Sequence, residues 1–169
     1  MNKVTTLRSC HVRSPDKGRP QAFHILFAVL FAAAVLATIH VCFDPRWETN
    51  DDVGMAMVAH GYGSGAYGSP NLVYSNVIWG FIVQSIPTAG GINGYSLATM
   101  AVLLASSSAV LFFLLSMQVG YAVGCLALTL ILVRPVLFPQ FTINAGLLTV
   151  AAIAGLHVYA RSHSVCTLI

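Results

Sequence analysis

Charge is scarce in this chain: only 8% of its 169 residues are Asp, Glu, Lys or Arg, against about 25% in an ordinary soluble domain. With 57% hydrophobic residues, that scarcity excludes a soluble globular domain and makes this an integral membrane protein. Cysteines are few. Cys10, Cys42, Cys125 and Cys166 have no CxxC spacing, so neither a disulfide framework nor a zinc site is supported. His24, His40 and His157 lack metal-ligand spacing and fall in or near apolar runs. No basic face with interleaved aromatics exists, and the net charge of +3 resides almost wholly in the N-terminal arm, where it reports topology and not nucleic acid. There is no internal repeat, low-complexity tract or separate soluble domain. The glycine-rich "HGYGSGAYG" lacks the Lys-Ser or Lys-Thr of a phosphate loop and reads as a plain loop.

Long apolar runs are what the chain has instead. Residues 22–43 are interrupted by His24 and His40 and are long enough to span, since roughly 20 apolar residues cross a bilayer. Before them Lys3, Arg8, Arg13, Lys17 and Arg19 face a single Asp16, which the positive-inside rule places in the cytoplasm. The first helix then runs outward. It reads as an uncleaved anchor, because "IHVCFDP" offers no small-residue cleavage site.

Three further runs, 95–117, 119–137 and 141–159, are each long enough to span. The stretch 72–86 would make roughly 22 Å of helix against a core of about 30 Å, and it carries Asn76, Gln84, Tyr74 and Trp79 between Pro70 and Pro87. A helix at the outer membrane surface is expected there. The fold class is therefore all-α: a polytopic membrane helical bundle of about four transmembrane helices plus an extracytoplasmic interfacial helix. Its parts are a basic cytoplasmic arm (1–21), a transmembrane module (22–160) with an outer loop (44–94), and a short tail (161–169). The expected location is the inner (plasma) membrane. If 72–86 spanned instead, five crossings would result and Arg134 and Arg161 would exchange sides.

Chemistry gathers in "WETNDDVGMAMVAHGYG", where Glu48, Asp51 and Asp52 are three of the five acidic residues of the chain. Helix capping explains the spacing: Asn50 is a favoured N-cap, Asp51 and Asp52 suit the first turn, and His60 followed by Gly61 closes the helix. Adjacent carboxylates just outside a bilayer also suit a general base or a divalent cation bound through oxygen. Both readings can hold together.

The order of basic arm, anchor helix, outer loop with "TNDD", short surface helix and further apolar helices resembles the start of a GT-C glycosyltransferase. "NDDVGMAMVAHGYGSGAYGSPNLVYSNVIWGFIVQSIP" resembles the first outer loop of bacterial membrane proteins related to that superfamily, and "RPVLFPQFTINAGLL" their later helix junction. The resemblance covers roughly residues 22–160. It implies a polyprenyl-phosphate sugar donor in the membrane lipid, an inverting transfer, and a catalytic role for Asp51 and Asp52 on the acceptor side. Glu48 is then a second carboxylate, Arg134 a grip on the donor phosphate, and His60 a neighbour at the substrate. GT-C enzymes generally have more crossings, so this chain is expected to be an N-terminal module without independent turnover. A nonenzymatic membrane subunit or transporter fragment is the alternative. Coupled transport is disfavoured because all five acidic residues lie outside the apolar runs, whereas Gly120, Gly124, Gly146 and Gly155 suit close helix packing.

Overall fold

A computed structural model describes residues 21–43, 50–63, 65, 67–72, 75 and 77–163. The basic arm, Glu48 and the last residues of the tail lie outside them. Six helices make up the described chain: α1 (Gln21–Cys42), α2 (Asn50–His60), α3 (Val77–Ser85), α4 (Gly94–Ser116), α5 (Tyr121–Leu137) and α6 (Phe141–His163). No β-strand occurs among the described residues; a single bridge joins Ala89 to Ile92.

Three helices are long and apolar enough to cross a membrane: α1, α4, and the Phe141–Ala160 part of α6. The architecture is thus the expected all-α membrane bundle. The fourth apolar run is shorter than the other three. At 17 residues, α5 spans about 26 Å, because Gly120 precedes its first turn and Pro139 restricts the residue before it and ends the helix near Leu137. Within 72–86 the described helix is α3, nine residues and about 14 Å long, too short to cross by itself.

Helix directions follow from the packing. The rings of His24 and Phe27 lie 5.9 Å and 5.0 Å from the ring of Tyr121, so α1 and α5 start at the same end. Gly124, near the start of α5, faces Leu111 and Leu115, near the end of α4, so those two helices are antiparallel. Gly155 faces Phe113 of α4 in the same close fashion, whereas Gly120 and Gly146 have open space around them. Only two of the four glycines expected at helix contacts are therefore placed there. Helix α4 sits centrally, packed against α1, α5 and α6 through a core that includes Ala28, Ala32, Leu103, Leu111, Leu128 and Leu132. Small side chains on α1 let it approach α4 closely. Of the three consecutive buried serines in α4, Ser107 and Ser108 donate their hydroxyls to the Leu103 and Leu104 carbonyls one turn back, whereas the Ser106 hydroxyl has no hydrogen-bond partner.

A second, smaller core caps one end of the bundle, where Met55, Ala56 and Ala59 of α2 meet Leu72, Val83 of α3 and Tyr95 of α4. Two glycines set its geometry. Gly61 follows α2 with φ +69°, the left-handed conformation of a helix C′ residue, and the Tyr62 N–H returns to the Met57 carbonyl at 3.3 Å. The expected stop at His60–Gly61 is what the chain adopts. At the first residue of α4, a Cβ on Gly94 would land on the Ile86 carbonyl oxygen, so only glycine lets the α3–α4 connection pass.

Candidate functional site

Helix α2 turns about 100° per residue, so neighbours on it point to different surroundings. Asp51 is exposed, whereas Asp52 is completely buried. The structure therefore splits a pair that the sequence presents as equivalent. The Asp52 Oδ1 accepts the Tyr95 hydroxyl at 2.8 Å and the Phe141 backbone N–H at 3.1 Å. That N–H belongs to the first residue of α6, one of the donors a helix cannot satisfy internally. A carboxylate placed there also meets the positive end of the α6 dipole. Asp52 lies in the first turn of its own helix, as the capping pattern predicts, and in addition it caps a helix that begins 89 positions later.

Tyr95 is held from two directions. Its backbone N–H, in the first turn of α4, donates to His60 Nε2 at 3.1 Å. Nε2 is thus the acceptor nitrogen, and the neutral imidazole carries its proton on Nδ1. Two residues earlier, Asn93 caps α4 by accepting the Ser96 N–H at 2.8 Å, while its amide donates to the Tyr62 hydroxyl at 3.3 Å. The starts of α4 and α6 are consequently fastened to α2 by side chains, and they lie at the same end of the bundle. The hydroxyl of Tyr95 also sits 3.9 Å from the Met55 sulfur, inside the capping core.

Of the expected site residues, Asp52 and His60 are brought to the same partner, Tyr95, by the fold. Asp51 stands beside them on the surface. Arg134 is exposed in the last turn of α5, just before the chain turns through Pro139 into Phe141, and so belongs to the α2 end as well. Glu48 falls outside the described residues.

A divalent cation shared by Asp51 and Asp52 does not fit this arrangement. The Asp52 Oδ1 is directed at an N–H and an O–H, both donors, and the side chain is sealed from the surface that Asp51 occupies. Among the described residues no three His, Cys, Asp or Glu side chains gather as metal ligands would.

Tyr95, Asn93 and the Phe141 backbone are contributors that reading the sequence did not bring forward. Signals for the first two exist in "INGYS": Asn before an apolar helix is an N-cap pattern, and a buried Tyr hydroxyl requires a polar partner. The identity of that partner carries no local signal.

Beside the site, α1 and α4 leave a cleft of about 570 Å³ between them, lined by both helices together with Ile92 and Pro139. Its walls are apolar except for His40 and Ser96, which lie toward the α2 end. The sequence matches no protein-family model, no curated protein and no solved structure.

Proposed function

We propose that this chain is a membrane-embedded module that presents the Asp51 carboxylate to a lipid-linked substrate, in the manner of the first outer loop of a GT-C glycosyltransferase. The observation that carries the reading is the division of labour within the acidic pair. Asp52 is buried and bonded to two helix starts, which makes α2 a rigid platform, and Asp51 projects from that platform into the surroundings.

In this reading the α2 end faces the extracytoplasmic side of the inner membrane, opposite the basic arm, and α1, α4, α5 and α6 make four crossings. An acceptor hydroxyl loses its proton to Asp51 as its oxygen bonds to the anomeric carbon, and the bond from that carbon to the polyprenyl phosphate breaks. The phosphate departs with the electron pair, and attack from the opposite face inverts the anomeric centre. Arg134, at the same end, suits the phosphate charge. Asp52, His60 and Tyr95 act as positioning residues. Glu48 remains a second candidate carboxylate in the segment that leads into α2.

A nonenzymatic subunit is the second reading, favoured by the same bonds: Asp52 and His60 are each engaged by backbone N–H groups at helix starts, a fully structural use of both. Photoreactive polyprenyl-phosphate sugars in vesicles distinguish the two. The enzymatic reading expects labelling of the chain at the α2 end, weakened by Arg134→Gln and competed by unlabelled polyprenyl phosphate. Labelling that is indifferent to competitor and to Arg134→Gln would leave the structural reading.

A further inference from the structure

We infer that the cleft between α1 and α4 is a built site for one hydrocarbon chain of a bilayer glycerophospholipid, whose head group rests at the rim formed by His40 and Ser96. Both walls belong to helices long and apolar enough to cross a membrane, and the lining is almost wholly apolar, which suits a cleft that faces lipid. It exists because Ala33, Ala37 and Ala101 stop at Cβ where larger side chains would close the gap.

Something must occupy it. The groove is open along one side, with Ala37, Ala101 and Ile92 exposed in it, so its lining makes full contact only when a neighbouring molecule lies along it. Water is a poor occupant because Leu36, Met100 and Leu104 offer it no polar partner along the walls. Hydrocarbon restores those contacts, and the bilayer supplies it at high concentration.

Polarity orients the occupant. The lining runs along α1 from Ala33 to His40 and along α4 from Leu104 to Ser96, about 11 Å on each helix. Both polar residues fall at the α2 end of this track. His40 is exposed and Ser96 half-buried, and each can hydrogen-bond a head-group oxygen while the chain lies along the alanines. A polar end joined to an apolar body is the pattern of a lipid, and an apolar side chain from another helix would leave the rim unmatched. The inference is independent of the glycosyltransferase reading, since a resident lipid would serve a structural subunit equally.

The full chain, purified from membranes in a mild detergent, tests it by native mass spectrometry. About one glycerophospholipid per chain should persist, and Ala37→Phe or Ala101→Phe, which fill the cleft, should each lower retention about tenfold. Ala34→Phe, on the same helix but outside the lining, should leave it unchanged. Far-ultraviolet circular dichroism identifies any variant that fails to fold, and the Ala37 and Ala101 variants act from different helices. Unchanged retention in a folded, filled variant overturns the site. A retained polyprenyl phosphate in place of glycerophospholipid overturns the assignment of the occupant.

Discussion

The carboxylate of Asp52 and the hydroxyl of Tyr95 meet at 2.8 Å inside the capping core, although they are 43 positions apart in the chain. Through this contact, and through the Phe141 N–H on the same oxygen, one acidic residue of α2 sets where two membrane-length helices begin.

Removing the Tyr95 hydroxyl should therefore cost stability through Asp52. A hydrogen bond to a charged group contributes about 1.5–3 kcal/mol, and Tyr95→Phe should lower thermal stability in detergent by about that amount. In an Asp52→Asn background the same substitution should cost at least about 1 kcal/mol less, because contacting residues are not additive. Additive losses would show that the two groups do not interact.

Asp51 and Asp52 should separate cleanly when each is changed to Asn. Asp51→Asn alters an exposed side chain and should shift stability by no more than about 0.5 kcal/mol, whereas Asp52→Asn should be the more destabilising of the two. In the proposed function Asp51→Asn also removes any carboxylate-dependent transfer in an enzyme containing this module. Equal thermal midpoints for both variants would contradict the observed burial.

The two turns at the α2 end should share one side of the membrane. With native cysteines replaced, Thr88→Cys and Gln140→Cys should react with an impermeant thiol reagent from the same side, the outside in the proposed orientation, and Ser116→Cys from the other. Reaction of Thr88→Cys and Gln140→Cys from opposite sides would break the packing of the α4 and α6 starts on Asp52.

Glycine substitutions should differ by location. Gly94→Ala drives a methyl into the Ile86 carbonyl and toward the His60 ring, and the backbone there cannot yield without parting α4 from the cap. A loss of about 1–3 kcal/mol is expected, of the size seen for overpacking. Gly146→Ala meets open space within α6 and should be neutral or stabilising by up to about 1 kcal/mol. Comparable melting temperatures for the two variants would refute the close approach.

Much of the fold is legible in the amino-acid sequence. Runs of apolar residues specify membrane-length helices because a bilayer imposes one length and penalises every unpaired backbone group, and both rules read directly on 22–43, 95–117 and 141–159. The stop of α2 at His60–Gly61 was equally local, since the left-handed turn there asks for glycine. The brackets Pro70 and Pro87 likewise announced that the segment between them would be short.

The site was legible only in its residue types. Sequence placed Asp51 and Asp52 in a first helical turn with His60 at the far end, because capping depends on neighbours a few positions away. Which carboxylate would be buried depended on the face that α2 turns toward α4, and that face is chosen by the packing of Met55, Ala56 and Ala59 against Tyr95 and Val83. Tyr95 and Phe141 lie between 35 and 89 positions from the His60 and Asp52 side chains they bond. Local propensity carries no record of such distances; they arise when helices built separately bury their apolar faces together and bring unsatisfied N–H groups within reach of a carboxylate and an imidazole.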